Sequence, residues 1–299
     1  MVDHARERCF VVLDDSVGIA SIVDRLDPGA VHALAEGRVF VDGKRVESAE
    51  TQVHAGSLVT LYATRSSPSD ADDLEFSILD RRDDFVIIAK PAYWLSEPDR
   101  SGHQVSIREH AVSYLRERHI HVATRLDFGV SGLVLAVVGD AARKEAARLQ
   151  NLRQITKDYL ALVVGTVSQE VRWDRSVGGN LDALTTSYRL GISGLTRFST
   201  PEESTVSQLH LNPVTGRHHQ IRVHAAKYGH PLLGDRRYGG PVHYVKTEGA
   251  VRNIPRPMLH AWRLTIPWKG QAWTTICPVP TDMRRLWAEL GGGETWPEQ

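Results

Sequence analysis

The sequence predicts an α+β chain in two domains, and three observations predict it. Short apolar runs bounded by Gly, Pro and Asp recur along the chain and read as strands. Other stretches carry apolar residues at helical spacing. Residues 63–75 cluster Ser, Pro and Asp with almost no apolar residue, which is linker chemistry. The expected division is a small module over 1–62, a linker over 63–75, a second domain over 76–290 and a loose tail over 291–299.

In the first module, Ser16 to Leu26 has helical spacing, with Ser16 placed as N-cap. Asp27-Pro28-Gly29 breaks it, and Ala30 to Glu36 reads as a second short helix stopped by Gly37. Val39-Phe40-Val41 and Lys44-Arg45-Val46 flank Asp42-Gly43, a hairpin turn. Ser57 to Tyr62 is a further strand. Two short helices running into "EGRVFVDGKRV" resemble the S-four-like RNA-binding module, an α-L fold. The resemblance implies that Arg38, Lys44 and Arg45 face RNA phosphates. Without it, they are ordinary solvated charges.

In the second domain, Ile78–Asp80 and Phe85–Ala89 read as strands, the latter ended by Lys90-Pro91 because proline cannot continue a ladder. Ser106 to Arg118 and Asp140 to Arg153 read as helices, Leu133–Val138 and Lys157–Gly165 as strands. Alternation puts Lys157 and Tyr159 on one face. Residues 180–204 are polar and read as irregular or hairpin structure. Leu209-His210-Leu211 is a strand, and Arg217 to Gly229 a helix on which Gln220 and His224, and separately His218 and Arg222, stand one turn apart. Met258–Ile266 and Trp273–Ile276 are closing strands, and Met283–Leu290 a last helix.

Composition narrows the function classes. Of 299 residues, 41% are hydrophobic and 24% charged, ordinary for a soluble globular protein. Acidic and basic residues balance at 36 each, so a polyanionic partner needs a locally basic face. Gly216–Pro257 supplies one by sequence: Arg217, Arg222, Lys227, Arg236, Arg237, Lys246, Arg252 and Arg256 against only Asp235 and Glu248. Cys9 and Cys277 are far apart and fit no zinc spacing. His218, His219 and His224 do not follow HExxH, so no metal is expected. Phosphate-cradling glycine loops and nucleophile elbows are missing, so no nucleotide cofactor and no acyl transfer are expected. The N-terminus carries early charges and no apolar core, and no run approaches the ~20 residues of a membrane helix. A cytoplasmic protein is expected.

One stretch concentrates chemistry. Thr124-Arg125-Leu126-Asp127-Phe128-Gly129-Val130-Ser131-Gly132 runs directly into the apolar strand. Gly129 and Gly132 are expected to take backbone angles that a side chain resists. Asp127 then sits on a tight turn at the mouth of a strand, next to an arginine. The plain alternative is a turn-forming aspartate or a surface salt bridge.

Four blocks and a closing strand decide between these. "DDFVIIAKP", "TRLDFGVSGLVL", "KDYLALVVG" and "TGRHHQIRVHAAKYGHPLLGDRRYG", followed by "LHAWRLTI", resemble in order the motifs of the RluA-type pseudouridine synthases. The resemblance implies a catalytic domain on a mixed, largely antiparallel sheet with flanking helices and a central RNA cleft. It implies a monomeric enzyme acting on ribosomal or transfer RNA, with no cofactor. Asp127 takes the position of the catalytic aspartate, acting at ribose C1′ or uracil C6 or on the ribose. Tyr159 matches the tyrosine stacked on uracil, a candidate base for the C5 proton. Arg222 matches the arginine that pairs with the aspartate, and a guanidinium there favours the charged carboxylate. Arg125 matches the arginine that replaces the flipped base in the stack. Lys157, Arg217, His219, Gln220 and His224 are expected at the RNA.

Four positions depart from the family pattern. Thr124 stands where His is usual, Val130 where Thr is usual, and Tyr93-Trp94 where Gly-Leu is usual. Thr124 and Val130, beside an intact RNA module, motivate an alternative: a catalytically inactive RNA-binding or ribosome-assembly factor on the same scaffold. A glycosidase is more distant, since no second carboxylate is marked in the matched blocks.

Overall fold

The computed structural model describes residues 7–11, 17–26, 30–35, 37–42, 44–46, 48–62, 76–98, 105–198, 203–245, 251–293 and 296–297. The chain divides into two compact units, Met1–Ala71 and Asp72–Gln299. The expected linker over 63–75 lies outside the described residues, as does Ser16.

In the first unit the helix spans Ile19–Leu26 rather than starting near Ser16. Val17–Gly18 is instead a short strand paired with Gln52–Val53. The second helix is a single tight turn, Ala30–Ala33. Strands Val39–Val41 and Lys44–Arg45 form the expected hairpin, and Leu58–Tyr62 pairs with both Val39–Val41 and Glu7–Val11. Ile19, Ile22, Val23, Leu34, Val39, Val59 and Leu61 make the core. Lys44 is exposed, Arg38 and Arg45 half-exposed, and the Arg45 guanidinium lies 5.7 Å from the Phe40 ring centre.

The second unit is built on a ten-stranded mixed sheet, almost wholly antiparallel. The single parallel contact joins Ser131–Val138 to Leu259–Trp268. At this contact Gly132 has φ +114°, and a Cβ there would collide with the Ala261 carbonyl. Ala261 pairs with Gly132 on one side and with Tyr159 of strand Thr156–Val164 on the other. The central strands are apolar on both faces and are covered on both. In strand Phe85–Lys90, Val86 and Ile88 face one core while Phe85, Ile87 and Ala89 face another. Tyr159, Ala161, Leu209, Leu211, Leu126, Val130 and Ile221 share the first of these cores.

Several elements differ from expectation. Residues 180–204 contain a regular strand, Thr185–Ile192, paired to Val206–Pro213. Glu170–Trp173 adds a strand beyond it. The helix expected from Arg217 begins at Gln220 and runs to Lys227, so Arg217 and His218 are on the preceding loop. Gly129 has no left-handed backbone; it is small because a Cβ would sit 2.9 Å from Pro257 Cδ. The tail is not loose where it is described: Trp287 Nε1 donates to the Gly293 carbonyl, and Trp296 packs on the core.

Candidate active site

Asp127 opens a four-residue turn closed by Val130 N–H donating to its carbonyl at 3.0 Å. Three anchors hold this turn. Ser96 Oγ donates to the Leu126 carbonyl and accepts from its N–H, both at 2.9 Å. The buried ammonium of Lys90 donates to the carbonyls of Pro91 and Trp94 at 2.8 Å and of Phe128 at 3.5 Å. Thr124 Oγ1 accepts from Leu135 N–H at 2.9 Å, and the Val130 side chain is buried in the core. Thr124 and Val130 therefore serve the loop in their own way, one as a backbone acceptor and one as core.

Arg222 reaches Asp127 from the helix Gln220–Lys227. Its Nη1 lies 3.1 Å from Asp127 Oδ2. Its Nε and Nη2 clamp Asp235 at 2.7 and 2.8 Å. Arg222 and Asp235 are 11% and 1% exposed, whereas Asp127 keeps 23% of its side chain in solvent. Burial opposes the Arg222 charge, but Asp235 and then Asp127 outweigh it and raise its pKa. A guanidinium held by a buried aspartate cannot swing away, so it presents a fixed positive edge to Asp127.

His219 stands at the helix start with φ +55°. Its Nε2 is 3.6 Å from Asp127 Oδ2, and its Nδ1 is 2.8 Å from Tyr238 Oη. Burial pushes its imidazole down to about 4, helped by Arg222, His218 and Arg237 and opposed by Asp127. The ring is neutral near pH 7. Lys157 and Tyr159 are close enough for the Asp127 charge to act on both. Burial lowers the Lys157 amine to about 7. Burial and Asp127 together raise the Tyr159 phenol well above its ordinary range. Tyr159 is thus held as a neutral phenol that presents a ring and a hydroxyl beside Asp127.

Arg125 is exposed and meets no protein partner among the described residues. Arg217 is exposed on the loop and engages Asp182 through two bonds of 2.8 and 2.9 Å. Gln220 and His224, expected at the RNA, are buried instead. Gln220 Oε1 accepts from Thr215 Oγ1 and Arg217 N–H, while its amide donates to the Leu184 carbonyl. The two ring nitrogens of His224 meet Thr185 Oγ1 and the Arg175 carbonyl. Both fasten the helix to the 175–185 segment and so set the position of Arg222.

The basic stretch over 216–257 also shrinks. Asp127, Asp182 and Asp282 come from elsewhere in the chain to pair with Arg222, Arg217 and Arg256. Arg256 is 1% exposed and cannot touch a polyanion. Asp235, Tyr238, Lys90 and Ser96 were not singled out from sequence. The signal for the first two was the "GDRRYG" end of the matched block. Asp127, His218 and His219 bring ligand atoms within 4.8 Å of one another. Arg222 already occupies Asp127 Oδ2 and Tyr238 occupies His219 Nδ1, so the arrangement reads as a guanidinium-paired carboxylate.

The profile of RNA pseudouridylate synthases matches residues 84–227. The ribosomal large subunit pseudouridine synthase D of Vibrio cholerae is 29% identical over 266 residues, covering 84% of this chain and 82% of that one. The dual-specificity RNA pseudouridine synthase RluA of Haemophilus influenzae is 32% identical over 205 residues, covering 63% and 86%. Human RNA pseudouridylate synthase domain containing 1 shares the fold, with TM-score 0.53 and 24% identity over 71% of this chain and 86% of that one. A mixed sheet carrying an arginine-paired aspartate defines, with these matches, an isomerase of RNA uridine. The chain belongs to the RNA pseudouridylate synthase family.

Proposed function

We propose that this enzyme isomerises a uridine of large-subunit ribosomal RNA, and that Asp127 is the group that engages the flipped nucleoside. The observation that carries the reading is the carboxylate fixed by Arg222 on one side and left open on the other, beside Tyr159. The RNA assignment is supported by the similarity to the ribosomal large subunit synthase of Vibrio cholerae. The N1–C1′ bond breaks, uracil turns, and C5 bonds to C1′; the C5 proton leaves and N1 gains one, so atoms balance. Asp127 starts this by attack on the nucleoside or by taking a ribose proton. Arg222 keeps it charged and aimed. Tyr159 supports the uracil ring. Arg125, with no protein partner among the described residues, fills the gap in the base stack. Flipping costs a few kcal/mol, which such stacking and phosphate contacts offset.

In this reading residues 1–62 form an S-four-like module that adds phosphate contacts through Arg38, Lys44 and Arg45. The enzyme works in the cytoplasm as a monomer without a nucleotide cofactor; none of the described helices is long and apolar enough to cross a membrane. The experiment is tritium release from [5-³H]uridine in ribosomal RNA, with pseudouridine mapping in cells with and without the gene. A large-subunit site lost on deletion, and release abolished by Asp127→Asn with RNA binding kept, are the expected results. Unchanged release by Asp127→Asn, or an unchanged map, overturns the reading. The inactive-factor alternative loses its motive, because Thr124 and Val130 have structural roles in the loop.

A further inference from the structure

We propose that Tyr93 is a positioning residue that clamps the Asp127 turn against the 254–258 strap; this rests on the proposed role of Asp127. Tyr93 has φ +65°, a left-handed backbone that L side chains rarely adopt. Glycine would take that backbone freely and would still donate its N–H to the Phe128 carbonyl, as Tyr93 does at 2.6 Å. What glycine would lack is the side chain, which makes these contacts among the described residues. Tyr93 Oη donates to the Pro255 carbonyl at 2.8 Å. The Tyr93 ring packs edge-on against Phe128, with centres 5.6 Å apart and planes at 72°. Phe128 directly follows Asp127 and is otherwise 37% exposed.

The strap it reaches is firm. Arg256 is buried and held by Asp282 through bonds of 2.6 and 2.7 Å. Met258 donates to the Leu233 carbonyl and accepts from Leu162 N–H. On the other flank of the turn, Gly129 lies flush against Pro257. The Asp127 turn is therefore sandwiched between the Lys90–Trp94 corner and the strap. Tyr93 is the group that bonds the corner to the strap through one side chain while its backbone bonds the turn. Strained residues persist where their surroundings hold them, and here what holds Tyr93 is the site. Groups that align a reacting carboxylate act on the chemical step, not on the grip of the enzyme on RNA.

The test compares Tyr93→Gly and Tyr93→Phe with the parent enzyme in single-turnover tritium release at saturating RNA, alongside RNA affinity and thermal midpoint. Expected are a rate loss of about 10- to 100-fold for Tyr93→Gly and of a few-fold for Tyr93→Phe, with RNA affinity within about two-fold in both. Parent-like rates in both variants, or rate losses matched by equal losses of RNA affinity, overturn the proposal. If Tyr93→Gly does not fold, Tyr93→Phe decides alone, because it keeps the ring and deletes the hydroxyl that bonds Pro255. Asp127→Asn run in parallel separates the failures: an active Asn variant sinks the role of Asp127, while an inactive one beside parent-like Tyr93 variants sinks only the clamp.

Discussion

Two carboxylates of this unit, Asp127 and Asp158, both face arginine and yet do opposite things. Asp158 accepts from Arg263 Nε at 2.8 Å and from Asn212 Nδ2 at 2.9 Å, with His210 Nε2 also at 2.9 Å. It is 7% exposed, and although burial works against the charge, His210, Arg263 and Asn212 bring it down to about 2. Asp127 has one hydrogen-bond partner among the described residues, Arg222, and that partner is itself shared with Asp235. A buried carboxylate bonded on both oxygens, by three partners, is a strut. One held from a single side by a guanidinium that another acid keeps in place is ready to meet a substrate. The pair stands or falls on what each does when its charge is removed.

The largest effect belongs to Asp127→Asn, expected to cut tritium release by roughly 10³-fold or more while the thermal midpoint stays within a few degrees. Asp158→Asn is the mirror image. It should keep the turnover rate within a few-fold but cost about 2 kcal/mol, or a fall of roughly 4–8 °C in calorimetry. If Asp158→Asn silences the enzyme at unchanged stability, the division between strut and reactive acid fails. Asp235→Asn sharpens it: freeing Arg222 should lower the single-turnover rate about 10- to 100-fold and leave RNA affinity alone.

Acid and alkali separate the groups further. Asp158 titrates lower in the folded chain than in the unfolded one, so its stabilisation is present above about pH 4 and is lost as pH falls toward 2. Lys157 also titrates lower when folded, at about 7 against about 10.4 unfolded, but as a base. Between these values the unfolded chain binds the extra proton, so stability rises as pH goes from about 7 toward 10. Lys157→Met should flatten that rise in denaturant titrations across the range. The smallest effect concerns the first unit. Lys44→Glu with Arg45→Glu should weaken RNA binding and reduce its salt slope by about 1 for each phosphate no longer neutralised, with the saturated rate unchanged.

What sequence made legible was local. The Asp127 turn, its strand, the Tyr159 strand and the Arg222 helix each announce themselves by short-range pattern, and the matched blocks tie them together. What it hid was the partnering between distant segments. Strand Thr185–Ile192 turns its hydroxyls inward, Thr185 and Ser187 being buried, and leaves Tyr188, Leu190 and Ile192 outside. That inverts the usual alternation, because Thr185 meets Gln220 and His224 across the gap. The same contacts explain why Gln220 and His224 looked like RNA ligands: their polarity serves a buried joint. The helix start was misplaced because His219 takes a left-handed backbone, which no apolar period records. Asp235 was hidden by serving Arg222 from thirteen residues away, beyond the reach of helical spacing.

Ala261 lies between Gly132 and Tyr159 as a common neighbour in the sheet. Adjacent strands stand about 4.8 Å apart, so the strand that follows the acid and the strand that bears the phenol are separated by two such steps, about 10 Å. The strand bearing Ala261 fills that distance, so the spacing belongs to the backbone: side-chain changes at the rim leave it alone, and it shifts only if the ladder is re-registered.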